Sequence, residues 1–199
     1  MSDFRAEFVE DYVSRIKRIL DDMIDSDLTV KVDQIAKVLL KARSDNKTVF
    51  IMGNGGSAST ASHFVGDLSK GTIVEGFPRF RAIALTDNIP NMLAWGNDSS
   101  YDDIFIEQLK NLMNPGDVVI GISGSGNSGN VLKAIEYANN NGGVTIGWSG
   151  FAGGKLKDLA QISLVTPSNY MQRIEDIHLL LLLILGLLLL IRRNGITNP

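Results

Sequence analysis

Phe4, Phe8, Tyr12, Ile16, Ile19 and Met23 recur every three or four residues, with Glu7, Asp11, Arg15 and Arg18 between them. This is the period of an amphipathic helix whose apolar stripe needs a partner. A second helix is predicted over Val30 to Ala42, and the polar run Ser44-Asp45-Asn46-Lys47 closes this N-terminal helical hairpin. Beyond it the rhythm changes. Short apolar runs rich in β-branched residues cover Val49 to Met52, Ala82 to Leu85, Val118 to Ile122, Val144 to Trp148 and Ile162 to Val165. Helical patterns separate them, near Ala58 to Ser69, Tyr101 to Met113, Asn130 to Asn140, Gly154 to Leu159 and Met171 to Arg193. Strand-length runs with no polar alternation are buried on both faces, so the pattern predicts an α/β fold: a five-stranded parallel sheet flanked by helices.

The 199 residues suit one buried core, so one domain over 1–199 is expected, with N-terminal helices to residue 45 and βα units after it. A formal net charge of −3 supplies no positive field for a nucleic-acid backbone. The chain has no cysteine, which excludes a disulfide framework, a thiolate nucleophile and a sulfur-ligated metal, and fits a reducing compartment. Asp3 stands where an export signal would carry basic residues, so the cytoplasm is the expected location. The run Leu179 to Ile191 has no polar residue, but at thirteen residues it is shorter than the roughly 20 that cross a bilayer. A helix buried all round within an oligomer accounts for it.

In an open parallel sheet, ligands bind beyond the carboxyl ends of the strands, where loops lead into helix N-termini with free N–H groups. Two loops here have that chemistry. Gly53-Asn54-Gly55-Gly56-Ser57 follows the first strand, and Ser123-Gly124-Ser125-Gly126-Asn127-Ser128 follows the third. Glycines let backbone approach an anion, and serine hydroxyls add donors. Neither loop is a P-loop or a dinucleotide fingerprint, because the lysine and the third glycine are missing. Either loop alone reads equally well as a tight turn; two on one sheet edge, one of them dense in serine, point to a phosphate.

These residues resemble the sugar isomerase (SIS) domain, in its phosphoheptose isomerase branch. The likeness is carried by Gly53-Asn54-Gly55-Gly56-Ser57-Ala58, His63-Phe64, Asn97-Asp98, Gly116 to Ser123 running into Ser125-Gly126-Asn127-Ser128, and Arg173-Ile174-Glu175-Asp176-Ile177-His178. It implies a flavodoxin-like three-layer sandwich and a homotetramer with sites between subunits. It implies conversion of sedoheptulose 7-phosphate to an aldose heptose phosphate through an enediol. By the same resemblance Ser123, Ser125 and Ser128 hold the phosphate, with Gly124 where the family has threonine. Asn54, Gly55 and Ser57 contact the sugar, and a family aspartate falls at Asp87 or Asn88. The family's proton carriers are a glutamate four residues after the histidine matching His63, and a histidine on the C-terminal helix. Its zinc is held by those two histidines, that glutamate and a glutamine.

This sequence departs at three of those four positions. Asp67 replaces the glutamate, one methylene shorter; Glu175 replaces the glutamine; Leu183 replaces the C-terminal histidine and can neither bind metal nor carry a proton. The remaining candidate ligands for zinc are His63, Asp67 and Glu175. His63 and Asp67, four apart, share a helix face and read either as a site pair or as a surface ion pair. His178, three after Glu175, reads as a substitute proton carrier or as ordinary helix packing. Lys70 and Arg81 read as phosphate contacts or solvated cations. Three functions follow: a phosphoheptose isomerase using Asp67, Glu175 or His178; a non-catalytic phosphosugar-binding protein, like the replication-initiator partner that shares the fold; or an isomerase of another phosphosugar.

Overall fold

The computed structural model describes residues 3–193, with side chains described over 7–186, so the side chains of Phe4 and of 187–191 in the apolar run lie outside the described residues. Two long helices open the chain, α1 (Asp3–Asp25) and α2 (Leu28–Ser44). Strands β1 (Thr48–Gly53), β2 (Arg81–Ala84), β3 (Val118–Ser123), β4 (Val144–Ser149) and β5 (Ile162–Val165) follow, each within a residue or so of the apolar run that predicted it. All neighbours are parallel, in the order β2-β1-β3-β4-β5. That is the flavodoxin-like order, with its switch point between β1 and β3.

Residues alternate between two apolar layers even though β1 and β3 are buried throughout. Val49, Ile51, Val118, Ile120, Ile122, Ile146 and Trp148 pack with α2, α3 (Gly56–Gly66) and α8 (Met171–Arg193). Phe50, Met52 and Val119 face the opposite layer, formed by α5 (Ile106–Leu112), α6 (Gly129–Asn140) and α7 (Gly154–Leu159). The three-layer sandwich is therefore fixed by the pleat acting on runs that are apolar on both sides.

The helices differ from expectation in three places. α4 (Ile89–Asp98) was not foreseen; none of its residues is fully buried, and only half-buried Met92 and Trp95 pack on the core, too short a stripe for a periodicity argument to detect. The helix read over Tyr101 to Met113 is a 3₁₀ turn, Tyr101–Asp103, then α5. The helix expected to run to Ser69 leaves α geometry at Asp67, where a π turn occupies Asp67–Gly71. Among the described residues no helix is long and apolar enough to cross a membrane.

Asp117 fixes the amino ends of the strands. Its buried carboxylate accepts the Thr48 N–H at the start of β1 and the Asn114 N–H before β3, both at 2.8 Å. Asp117→Ala would strand both donors and is expected to destabilise the fold by about 3 kcal/mol. A urea melt should show a lower midpoint at unchanged slope; an unaltered midpoint would refute the assignment.

Candidate functional site

The serine loop forms where β3 ends and α6 begins. Ser123 Oγ lies 2.9 Å from Ser128 Oγ and 3.5 Å from Ser125 Oγ, so three hydroxyls converge at the start of a helix twelve residues long. Gly126 shapes the loop: at φ +67° its N–H donates to Ser123 O, and a Cβ there would stand 2.0 Å from Gly153 O. The back of the loop is fastened to α7 by Leu156 N–H on Gly126 O (3.0 Å) and Lys155 N–H on Asn127 Oδ1 (3.1 Å). The hydroxyls and N-terminal N–H groups leave a cradle suited to an anion.

The first loop joins it. Asn54 and Asn130 exchange reciprocal amide hydrogen bonds of 2.9 Å, and Asn130 lies two residues after Ser128. Gly55 is at φ +55°, and Ser57 is buried in the first turn of α3. Asn54, Gly55, Ser57, Ser123, Gly124, Ser125 and Ser128 thus share the carboxyl edge around the switch point between β1 and β3.

α8 covers this edge. A Cβ built on Gly124 would come within 2.3 Å of Met171 Sδ, one on Gly150 within 2.3 Å of Ile174 Cδ1, and one on Gly56 within 2.4 Å of Glu175 Oε2. Met171, Ile174 and Glu175 lie on one helix face and seat against three glycines, where a larger residue would displace the side chain that rests on it. The Glu175 carboxylate therefore rests on the first turn of α3, where the helix dipole favours an anion.

The sequence model of the SIS domain matches residues 11–150. The chain belongs to the SIS domain family, in its phosphoheptose isomerase branch. The phosphoheptose isomerase of Trichlorobacter lovleyi is 38% identical over 185 residues, 93% of this chain and 91% of that one. That of Aliarcobacter butzleri is 40% identical over 151 residues, covering 75% and 78%. The solved phosphoheptose isomerase of Neisseria gonorrhoeae superposes with a TM-score of 0.85 at 28% identity, over 92% of this chain and 97% of its own.

The remaining candidates of this SIS domain scatter. His63 Nε2 is 3.8 Å from Asp67 Oδ2, both partly solvent-exposed. Asp67 faces α8 at Gly186, where an added Cβ would be 3.7 Å from Asp67 Cβ. α3 and α8 therefore run side by side, Gly56 opposite Glu175 and Asp67 opposite Gly186. Along each helix eleven residues separate the two contacts, about 16 Å of helical rise. Within one chain Asp67 lies far from Glu175, and among the described residues no three such side chains converge on a metal position, so the zinc ligands implied by the resemblance are not brought together inside a single chain. The donor set does not fit zinc within a chain.

Of its two readings from sequence, His178 takes the one of helix packing. It is 1% exposed, its Nε2–H donates to Ser149 O at 3.0 Å, its ring meets Trp148 edge-on at 5.9 Å, and Nδ1 has no hydrogen-bond partner. It packs in the core and does not open on the loops. Asp87, at the end of β2, accepts a hydrogen bond from Ser62 of α3, while Asn88 Oδ1 caps α4 through Asn91 N–H at 3.4 Å. Arg81 sits at the opposite end of β2, its Nε bonded to Thr48 Oγ1 at 3.4 Å, and cannot serve this edge. Lys70 is exposed on the π turn. The partners of Asn54, Asn130 and Tyr101, were not singled out from sequence. An amide after the serine loop was the available signal for Asn130, and Tyr101 looked like a helix start.

Two predictions follow from these contacts. Burial drives the His178 pKa down to about 4, only partly offset by the bond to Ser149. Its neutral form is favoured by folding, so the stability this gives is present above about pH 6.5 and drains as pH falls toward 4, by about 3 kcal/mol in all. In His178→Asn the loss of stability between those pH values should be smaller, measured by chemical denaturation; an unchanged slope would count against it. Gly124→Thr should weaken phosphate binding because its side chain meets Met171, and Met171→Ala in the same chain should restore it. Isothermal titration with inorganic phosphate checks this, and strict additivity of the two changes would refute the clash.

Proposed function

We propose that this chain is an aldose-ketose isomerase of sugar phosphates, acting on sedoheptulose 7-phosphate or a close relative. The observation that carries the reading is the convergence of the Ser123, Ser125 and Ser128 hydroxyls on the sheet edge where the Glu175 carboxylate also lies. The phosphoheptose isomerases among its relatives support the same reaction.

In this reading the serine loop holds the phosphate and the sugar chain extends toward Asn54 and Ser57. A carboxylate takes a proton from C1 of the ketose as the C2 carbonyl oxygen gains one, giving the enediol. The carboxylate then returns a proton to C2, and the C1 hydroxyl gives up its own to become the aldehyde. Atoms and electrons balance without an outside oxidant. The carboxylates we assign to this transfer are Asp67, at the position of the family's glutamate, and Glu175, beside the loops. Asp67 and His63 join the same centre only if another subunit brings its loops to them.

A homotetramer with sites between subunits is part of the proposal. It is supported by exposed Phe8, Val9 and Val13 on α1 and Leu180, Leu183 and Ile184 on α8. A cytoplasmic location is supported by the absence of cysteine. No step is assigned to zinc. Leu183, 39% exposed and unable to carry a proton, favours the second reading, a phosphosugar-binding protein without turnover.

Incubation with sedoheptulose 7-phosphate in D2O is expected to yield aldose heptose phosphate labelled at C2. Asp67→Asn should lower kcat by about 10²-fold or more while thermal protection by the sugar phosphate persists, and Glu175→Gln, which restores the amide the resembled isomerases carry there, should lower it less. Protection of the wild type without turnover would sink the isomerase and leave the binding protein.

A further inference from the structure

Tyr101 opens the 3₁₀ turn that precedes α5. Its residue is 59% exposed, yet its hydroxyl donates to Asn54 Oδ1 at 3.0 Å. Water could satisfy an exposed phenol, so the direction of this bond is informative. The same Asn54 oxygen accepts from Asn130 Nδ2, and Asn130 is 1% exposed. The phenol is therefore aimed at the junction between the two ligand loops.

The rest of the turn is anchored. The Asp102 carboxylate lies beside Gly129 in the first turn of α6, where a Cβ would be 2.4 Å from Asp102 Oδ1, and Asp103 pairs with Lys133 of α6. The turn is thereby tied to the helix whose start carries Ser128. Its neighbours hold Tyr101 in register while its own ring stays open to solvent.

We propose that Tyr101 is a positioning residue of the phosphosugar site, its hydroxyl acting with Asn54 to hold a hydroxyl of the open sugar chain between the two loops. This rests on the phosphosugar reading of the site. The ligand class is a polyhydroxylated sugar phosphate: its phosphate reaches the serines and its chain reaches Tyr101. Bare phosphate engages the serines alone.

The test compares wild type and Tyr101→Phe, each titrated calorimetrically with sedoheptulose 7-phosphate and separately with inorganic phosphate. Loss of one neutral hydrogen bond should weaken the sugar phosphate by about 3- to 10-fold and leave inorganic phosphate unchanged. With turnover, KM should rise by the same factor while kcat is retained. Equal weakening of both ligands would make Tyr101 a mere support for the loops, and no weakening of either would remove it from the site; both overturn the proposal. Wild type that binds inorganic phosphate but not the sugar phosphate would instead overturn the phosphosugar reading, and the proposal with it.

Discussion

The ligand edge depends on the seating of α8 against backbone. Met171, Ile174 and Glu175 meet Gly124, Gly150 and Gly56, so one helix face touches the serine loop, the end of β4 and the first turn of α3. At each contact a side chain of α8 fills the space that a Cβ on the glycine would take. The consequence is geometric. Both ligand loops are registered to one rigid body, which also brings the Glu175 carboxylate to the start of α3. Ile174 is fully buried, so the anchor at Gly150 also belongs to the core.

The parallel run of α3 and α8 sorts the acidic groups. Glu175 sits with the loops at the start of both helices; Asp67 sits about 16 Å further along, at the π turn. π turns are often found at functional sites, and this one carries Asp67 into a position facing α8 at Gly186. A single chain thus presents two separate acidic centres. One lies beside the phosphate cradle, and the other lies toward exposed apolar residues suited to another subunit.

Much of this was legible in the sequence, and the limits were physical. The strands were readable because runs such as Val118 to Ile122 and Val49 to Met52 are apolar on both faces, which only a sandwiched parallel sheet requires. The serine loop was readable because its chemistry is local and consecutive. α4 was hidden because it sets only Met92 and Trp95, both half-buried, against the core, and two positions make no periodic stripe. The separation of Asp67 from Glu175 was hidden because it depends on how two helices lie side by side. His178 could be read from sequence as a proton carrier or as packing, and the choice depends on which way the side chain turns around α8: it lies against Trp148 and Ser149. Tyr101 was hidden because its meaning lies in a hydrogen bond to a residue 47 positions earlier.

The close crossing of Gly126 and Gly153 has a kinetic consequence. With Gly126 bound to Ser123 on one side and to α7 on the other, the serine loop reaches its ligand-holding shape when the chain folds. An arriving phosphate meets a surface that needs no ordering, so little conformational entropy is lost on association. Capture would then be limited by encounter and by stripping water from the anion and the hydroxyls, with no loop closure to await.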